Sequence, residues 1–333
     1  RSHAGQLVMH QEKVLRCTLV VRLGQCFKAH IFLGLNGLVK SIRVATARHH
    51  TSGVFVHNLN LAFLYNVFLF ALEQGVSFQK LVNRVDAVAA LGKDSVYGVS
   101  LPSAITSEQS IVDARAVATN LEIEFDVVPI GAMIETISGT LEANEASLTG
   151  VAAENIQARI RGAILMGIAN QRDALVLTPD NKSEAAVGYC TLYGDTVGAL
   201  APLGDCYKQL VYELAEVFNE TLTSAETSPV IPRSVIEKEP TAELRNGQSD
   251  GEEIPAYEVL DPILEQYIEG GSNAGSIQRG YPDHVVDEAL RRVTHAEFKR
   301  RQTPPPLRIT QKALGRGWNY PIAAAYDHVL DGQ

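Results

Sequence analysis

The chain has 333 residues, 46% hydrophobic and 20% charged, with a formal net charge of −9. This is enough for one large domain or two small ones with a sizeable core, and the acidic balance argues against a nucleic-acid partner, whose phosphates ask for a basic surface. The four cysteines, Cys17, Cys26, Cys190 and Cys206, lack metal-type spacing and read as reduced thiols in a cytoplasmic protein rather than a disulfide framework.

In chain order, residues 17–23 and 30–35 are apolar enough for strands or a buried helix. Residues 34–41 read G-L-N-G-L-V-K-S. Residues 54–72 carry no charge and come close to the ~20 residues a bilayer requires. His57, Asn58, Asn60 and Asn66 interrupt that run. Unpaired amides are costly in lipid, so a buried or loosely packed insert is expected there and a membrane span is not. Retained non-coding sequence is a further reading.

From residue 85 the order becomes regular. Residues 95–101 read as a strand, with Pro102 just after. Residues 107–121 have helical spacing, with Ile111, Ala114, Val117 and Ala118 on one face. Residues 122–130 form a second strand, and 154–171 a long helix on which Asn155 and Arg159 share one face and Gln157 and Arg161 another. The run A-L-V-L at 174–177 predicts a central buried strand. Polar residues follow it directly, where an open α/β sheet holds its ligands. Glu184 sits there among Ser183, Ala185 and Ala186, which leave room for a ligand or a metal; a solvated strand-to-helix turn has the same spacing. Residues 200–203 suggest a short strand and 208–218 a helix. Residues 221–253 are rich in Ser, Pro, Glu and Gly and read as a mobile lid or linker. Helices follow at 257–268 and 285–301, the latter stopped by Pro304, Pro305 and Pro306. Alternating strands and helices argue for a doubly wound parallel sheet.

Several stretches carry a resemblance. Residues 181–195 read N-K-S-E-A-A-V-G-Y-C-T-L-Y-G-D, residues 154–161 E-N-I-Q-A-R-I-R, residues 240–244 P-T-A-E-L, residues 257–261 Y-E-V-L-D, and residues 299–302 K-R-R-Q. In this order they resemble the synthetase domain of NAD synthetases, most closely the glutamine-dependent type, from about residue 85 to residue 320. The resemblance implies an adenine-nucleotide-α-hydrolase-like, Rossmann-like fold of the ATP pyrophosphatase kind. The implied reaction is ATP-dependent amidation of deamido-NAD to NAD, with an adenylated nicotinate carboxylate that ammonia attacks. ATP and Mg²⁺ enter as a substrate complex, and no tightly bound cofactor is implied.

Carried over by position, Glu184 is the Mg²⁺ ligand and, with Lys208, the catalytic pair. Gly37, Ser41, Ser103, Thr178, Lys208 and Thr241 contact ATP, while Glu154, Asn155, Arg159, Asp195 and Lys299 hold deamido-NAD. The resemblance further implies a homodimer. It also implies that a glutaminase domain, the source of ammonia in the glutamine-dependent type, lies outside this chain, which would then be a fragment of a larger enzyme. Residues 85–333 form the synthetase-like domain, and residues 1–84 a diverged or inserted segment with a degenerate phosphate loop. There, against the family's S-G-G-x-D-S, Asn36, Leu38 and Lys40 replace Ser, Gly and the metal-binding Asp. Similarly, Pro179 and Asp180 stand where the family has Thr and Gly, and Ala104 where it has a basic residue. These departures motivate a second expectation: a catalytically impaired homologue that binds deamido-NAD or dimerises without turnover.

Overall fold

Short apolar runs alternating with longer amphipathic stretches build a parallel sheet wrapped by helices. The computed structural model describes residues 78–222, 228–315 and 317–322, and the backbone of 69–71. β1 (Leu69–Ala71) precedes α1 (Phe78–Leu91), β2 (Val96–Ser100) precedes α2 (Glu108–Asn120), and β3 (Glu124–Val127) precedes α3 (Gly131–Glu142) and α4 (Val151–Arg172). β4 (Leu175–Leu177) leads into α5 (Lys182–Val187). All pairings are parallel, in the spatial order β3-β2-β1-β4. Single parallel bridges, Leu177 to Leu200 and Ala201 to Pro306, continue the sheet past β4. The chain then forms α6 (Lys208–Leu222), α7 (Arg233–Glu237), α8 (Tyr257–Leu264) with a π-helical turn at Glu265–Glu269, α9 (Ala274–Ile277), α10 (Asp283–His295) and α11 (Glu297–Arg300).

Both faces of the sheet are covered. Tyr97 and Val99 of β2 and Val176 of β4 pack with Ile160, Leu165 and Ala169 of α4. In a second cluster, Leu81, Val82 and Val85 of α1 meet Val117 of α2 and Val211 and Phe218 of α6. β2 is therefore buried at every position, as a strand between two helical layers must be. Gly98 in that strand makes space for a charge: a Cβ there would lie 3.3 Å from the Arg84 guanidinium and 3.0 Å from Phe125. Arg84 is fully buried and donates to the Ala114 carbonyl at 3.0 Å. A third cluster joins α5 to α8 and α10 through Ala186, Leu260, Ile263, Val286 and Leu290.

The expected strands and helices between residues 95 and 222 are present, with ends moved by a few residues, except that the strand expected at 200–203 is reduced to the single bridges at Leu200 and Ala201. Three expectations change. The boundary at residue 85 falls inside α1, and the core reaches back to β1, which occupies the middle of the sheet. β1 is the end of the uncharged run 54–72, so that end serves as a strand; the rest of the run and residues 34–41 lie outside the described residues. Among the described residues no helix is long and apolar enough to cross a membrane. The strand expected at the centre, 174–177, instead lies beside β1 at one side of the four-stranded sheet, although Val176 is buried as expected.

The third change concerns residues 228–253, expected as a lid or linker. Val230, Ile231 and Val235 pack into the cluster of α1 and α6. The Asn219 side chain accepts from the Ile231 amide at 2.8 Å and donates to its carbonyl at 3.0 Å. A few well-placed apolar residues anchor a segment whose average composition is polar.

Candidate active site

Strand order reverses between β1 and β4, the point where an open parallel sheet leaves a crevice. An open cleft of about 640 Å³ lies beside the turn after β4. α1 brings Gln79 and Lys80 to it, the turn after β4 brings Pro179 and Asp180, α5 brings Glu184, and α6 brings Lys208. Lys238 and Thr241 reach it from the segment after α7, Asp195 and Asp250 from two further loops.

Four consecutive residues, Asn181 to Glu184, each fix this site by a different means. The Asn181 side chain accepts from the Glu184 amide at 3.0 Å, and Glu184 returns the contact on the Asn181 amide at 3.3 Å, closing a capping box on α5. Lys182 is fully buried and donates to Asp205 at 2.7 Å, Glu269 at 2.6 Å, Thr310 Oγ1 at 2.7 Å and the Lys312 carbonyl at 3.1 Å. Ser183 donates to Asp261 at 2.5 Å and accepts from the Lys208 amide at 2.9 Å, so it sets the start of α6. Glu184 then meets the Lys208 amine at 3.6 Å, with Gln79 bridging the two: its amide donates to Glu184 and its carbonyl accepts from Lys208. α5 ends at Gly188 with φ 71°, where a Cβ would strike Ala296 at 2.6 Å; only glycine makes this turn without strain and clash.

Charge is concentrated in the cleft. Burial, more than any neighbour, pushes Asp195 up to about 6. Burial also raises Asp180, reinforced by Asp195 and Glu184, and raises Asp250, reinforced by Glu184. Lys80 is pushed down to about 7, by burial first and by Arg161 next. These are the opposed shifts expected where ionisable groups are packed together to meet a charged ligand.

The loop after α5 forms the opposite wall. Thr191 donates its hydroxyl to Asn155 Oδ1 at 2.7 Å and its amide to Asp195 at 2.6 Å. Arg159 donates to the Leu192 carbonyl at 3.2 Å, and Lys299 to the carbonyls of Gly188 and Cys190 at 2.7 and 2.8 Å. Gly162 and Gly194 let α4 and this loop touch, since a Cβ on Gly162 would lie 2.7 Å from the Tyr193 carbonyl oxygen and one on Gly194 2.7 Å from Ala158.

A sequence model of the NAD synthase family matches residues 81–303 of this chain, which include every cleft residue named above except Gln79 and Lys80. The chain belongs to the NAD synthase family. A glutamine-dependent NAD(+) synthetase of Synechocystis is 44% identical over 242 residues, which are 72% of this chain and 42% of that protein. One from Aquifex aeolicus is 44% identical over 238 residues, 71% of this chain and 41% of that protein. The chain thus spans about two fifths of the length of these relatives. The solved structure of a glutamine-dependent NAD(+) synthetase from Cytophaga hutchinsonii superposes with a TM-score of 0.62 at 18% identity, over 80% of this chain and 52% of that one, and agrees in fold.

The residues assigned from the NAD synthase resemblance fall into groups. Glu184, Lys208, Thr241 and Asp195 line one cleft. Asn155, Arg159 and Lys299 do not line it; they hold the loop that carries Asp195, from two sides. Glu154 pairs with Arg245 at 3.4 Å. Thr178 does not line the cleft: its hydroxyl donates to the Val197 carbonyl at 2.8 Å, and it lines a smaller pocket behind. Ser103 stays within its own turn, accepting from the Ile105 amide at 3.3 Å. Gly37 and Ser41 lie outside the described residues. Sequence reasoning missed Gln79, Lys80, Lys238 and Asp250 in the cleft. Lys238 stands two residues before P-T-A-E-L, the one signal that pointed to it. Gln79 and Lys80 follow no motif in the sequence.

Proposed function

We propose that this chain is the synthetase part of an enzyme that amidates deamido-NAD to NAD at the expense of ATP. The observation that carries this reading is the meeting of Glu184, Lys208, Thr241 and Asp195 in one cleft at the switch point, in a chain of the NAD synthase family. In this reading the nicotinate carboxylate attacks the α-phosphorus of ATP–Mg²⁺ and pyrophosphate leaves. Ammonia then attacks the acyl-adenylate and AMP leaves. Lys80, Lys208 and Lys238 are the cations of the cleft and are suited to the charge that develops on the phosphates. Glu184 is the carboxylate for the magnesium of the substrate complex; two or fewer carboxylates with phosphate oxygens suffice for that ion. Arg159 and Lys299 shape the wall on which Asp195 meets the dinucleotide, and a second copy of the chain is the proposed partner. In the full-length enzyme a glutaminase domain beyond this chain supplies the ammonia, while the chain itself uses free ammonia.

The test is NAD formation from deamido-NAD, ATP–Mg²⁺ and ammonium chloride. Turnover is expected, and Glu184→Ala is expected to lower it about 10²–10³-fold, the usual loss for one electrostatic contact to a transition state. A chain that binds both substrates in calorimetry yet forms no NAD would favour the impaired homologue.

A further inference from the structure

No step of the amidation calls on Gln79. It is the second residue of α1, lines the cleft at the switch point, and is nearly buried together with Glu184 and Lys208. Its carboxamide lies between the two: the NH2 group donates to Glu184 and the carbonyl oxygen accepts from Lys208. That orientation is forced, because a carboxylate only accepts and an ammonium only donates. Among the described residues the Gln79 side chain makes no other hydrogen bond.

The carboxylate it touches is crowded by donors. Glu184 Oε1 faces the Gln79 amide, the Lys208 amine at 3.6 Å and the Tyr257 hydroxyl at 3.4 Å, while Oε2 accepts from the Asn181 amide at 3.3 Å in the cap of α5. A dication approaching Glu184 meets those positive hydrogens, so at least one donor has to leave. The Asn181 amide is part of the backbone. Tyr257 is buried and bonded to Asp250 at 3.0 Å. Lys208 is 1% exposed, opens α6 and lies 4.9 Å from the centre of the Tyr257 ring. Gln79 is uncharged and held only by the two charges it bridges, so its departure costs least. The cleft offers a lone cation little else: among the described residues no three carboxylates, histidines or cysteines converge closely enough to hold a metal ion.

We propose that Gln79 is a plug in the cation position of the cleft: it keeps a divalent cation out of the empty site and yields only when the cation arrives together with phosphate. This rests on the amidation reading given above. A cation alone is opposed twice. The amide hydrogens of Gln79 point at its place, and turning the carboxamide over to offer the carbonyl oxygen aims those hydrogens at the Lys208 ammonium. Phosphate removes the second obstacle. Lys208 then faces phosphate oxygens, and the turned NH2 group donates to an anion. Cation and nucleotide thus favour each other's binding, by the same factor in both directions. No covalent bond changes in this step. The cleft takes ATP–Mg²⁺ as one unit and ignores the free cation.

Manganese(II), read by electron paramagnetic resonance on the full chain, is the probe. Without nucleotide the chain should bind Mn²⁺ no tighter than roughly 0.1 mM, the weak end of carboxylate sites. A tighter site that Glu184→Gln abolishes overturns the proposal. The α,β-methylene analogue of ATP, followed by calorimetry, should bind the unaltered chain at least about tenfold more tightly with Mn²⁺ than with EDTA. Equal affinity overturns the proposal, and this comparison needs no variant. Gln79→Ala removes the plug and should bind Mn²⁺ alone about tenfold more tightly than the unaltered chain, the size of one hydrogen bond to a charged group. Glu184→Gln placed in that variant should cancel the gain. Weaker Mn²⁺ binding by a folded Gln79→Ala makes Gln79 an ordinary ligand and overturns the proposal, as does a gain that survives Glu184→Gln. If the manganese results hold but the unaltered chain forms no NAD from ammonium chloride, the amidation reading fails and the plug stands. If NAD forms but Mn²⁺ binds the empty cleft tightly through Glu184, the plug fails and the amidation reading stands.

Discussion

Much of the loop from Gly188 to Thr196 is tied down through backbone groups: carbonyls accept from Lys299 and Arg159, and the Thr191 amide is fixed by Asp195. Side-chain bonds from Thr191 to Asn155, Tyr189 to Asp250 and Tyr193 to Gln302 stand beside them. Across the cleft, Glu184, Lys208 and Gln79 hold one another by charge and side-chain amide alone. A wall whose charged side chains are spent on backbone groups has few of them left to hand to a ligand. A wall fastened by opposite charges can hand those charges to a ligand. The contrast fits a site in which one side positions a bulky substrate and the other neutralises phosphate.

The largest test of this contrast is Lys208→Met. It should leave folding nearly intact, because Glu184 keeps its bonds to Asn181 and Gln79, but it should lower the rate of NAD formation by about 10²–10³. A loss of stability as large as the loss of rate would show that the charged wall is structural after all. The converse is Gly162→Ala. Its Cβ meets backbone oxygens at 2.7 and 3.2 Å, so it should destabilise the fold by about 2–3 kcal/mol in urea melts. Its effect on ATP binding should be small.

Arg159→Ala sharpens the comparison. This exposed side chain contributes one hydrogen bond to the wall, so stability should change by less than about 0.5 kcal/mol. The KM for deamido-NAD should rise about tenfold if the guanidinium also meets the substrate. An unchanged KM would confine Arg159 to the wall. The smallest effect is on pH dependence. Asp195 is raised from 3.8 to about 6 by burial, so the folded state binds its proton more tightly than the unfolded state. Its contribution to stability therefore falls as pH rises from about 4 to about 6. Asp195→Asn should remove that slope and gain about 1 kcal/mol on the unaltered chain above pH 6, once solvent in the open cleft is allowed for. A variant that loses stability over this range would contradict the assignment.

The legible parts of the sequence were those where local pattern and tertiary role agree. α2 and α4 have a 3.6-residue period, and β2 is a short apolar run before a proline. β1 was illegible because three residues in the middle of a sheet are apolar on both sides, and an uncharged run carries no period to mark them. The segment 228–253 misled because composition averages over residues, whereas Ile231 and Val235 act singly. Among the site residues, the motif from Asn181 to Glu184 announced itself. Thr178 stands next to that motif, yet its hydroxyl is taken by a carbonyl 19 residues later in the chain. Asp180 was visible only as a departure from a pattern. What it faces depends on residues 195 and 304–306, which no local reading brings together.

The Lys182 amine has consequences for the order in which the molecule is completed. Its partners come from residue 205, residue 269 and residues 310–312, so the last of them is made about 130 residues after the lysine itself. Until residues 310–312 are in place, the helix that carries Glu184 has a buried cation short of acceptors. The sheet can assemble before then, but this helix cannot settle at its working position. The Glu184 carboxylate thus settles only after residues 310–312 are made, and a chain ending before residue 309 would have the fold's outline without its centre.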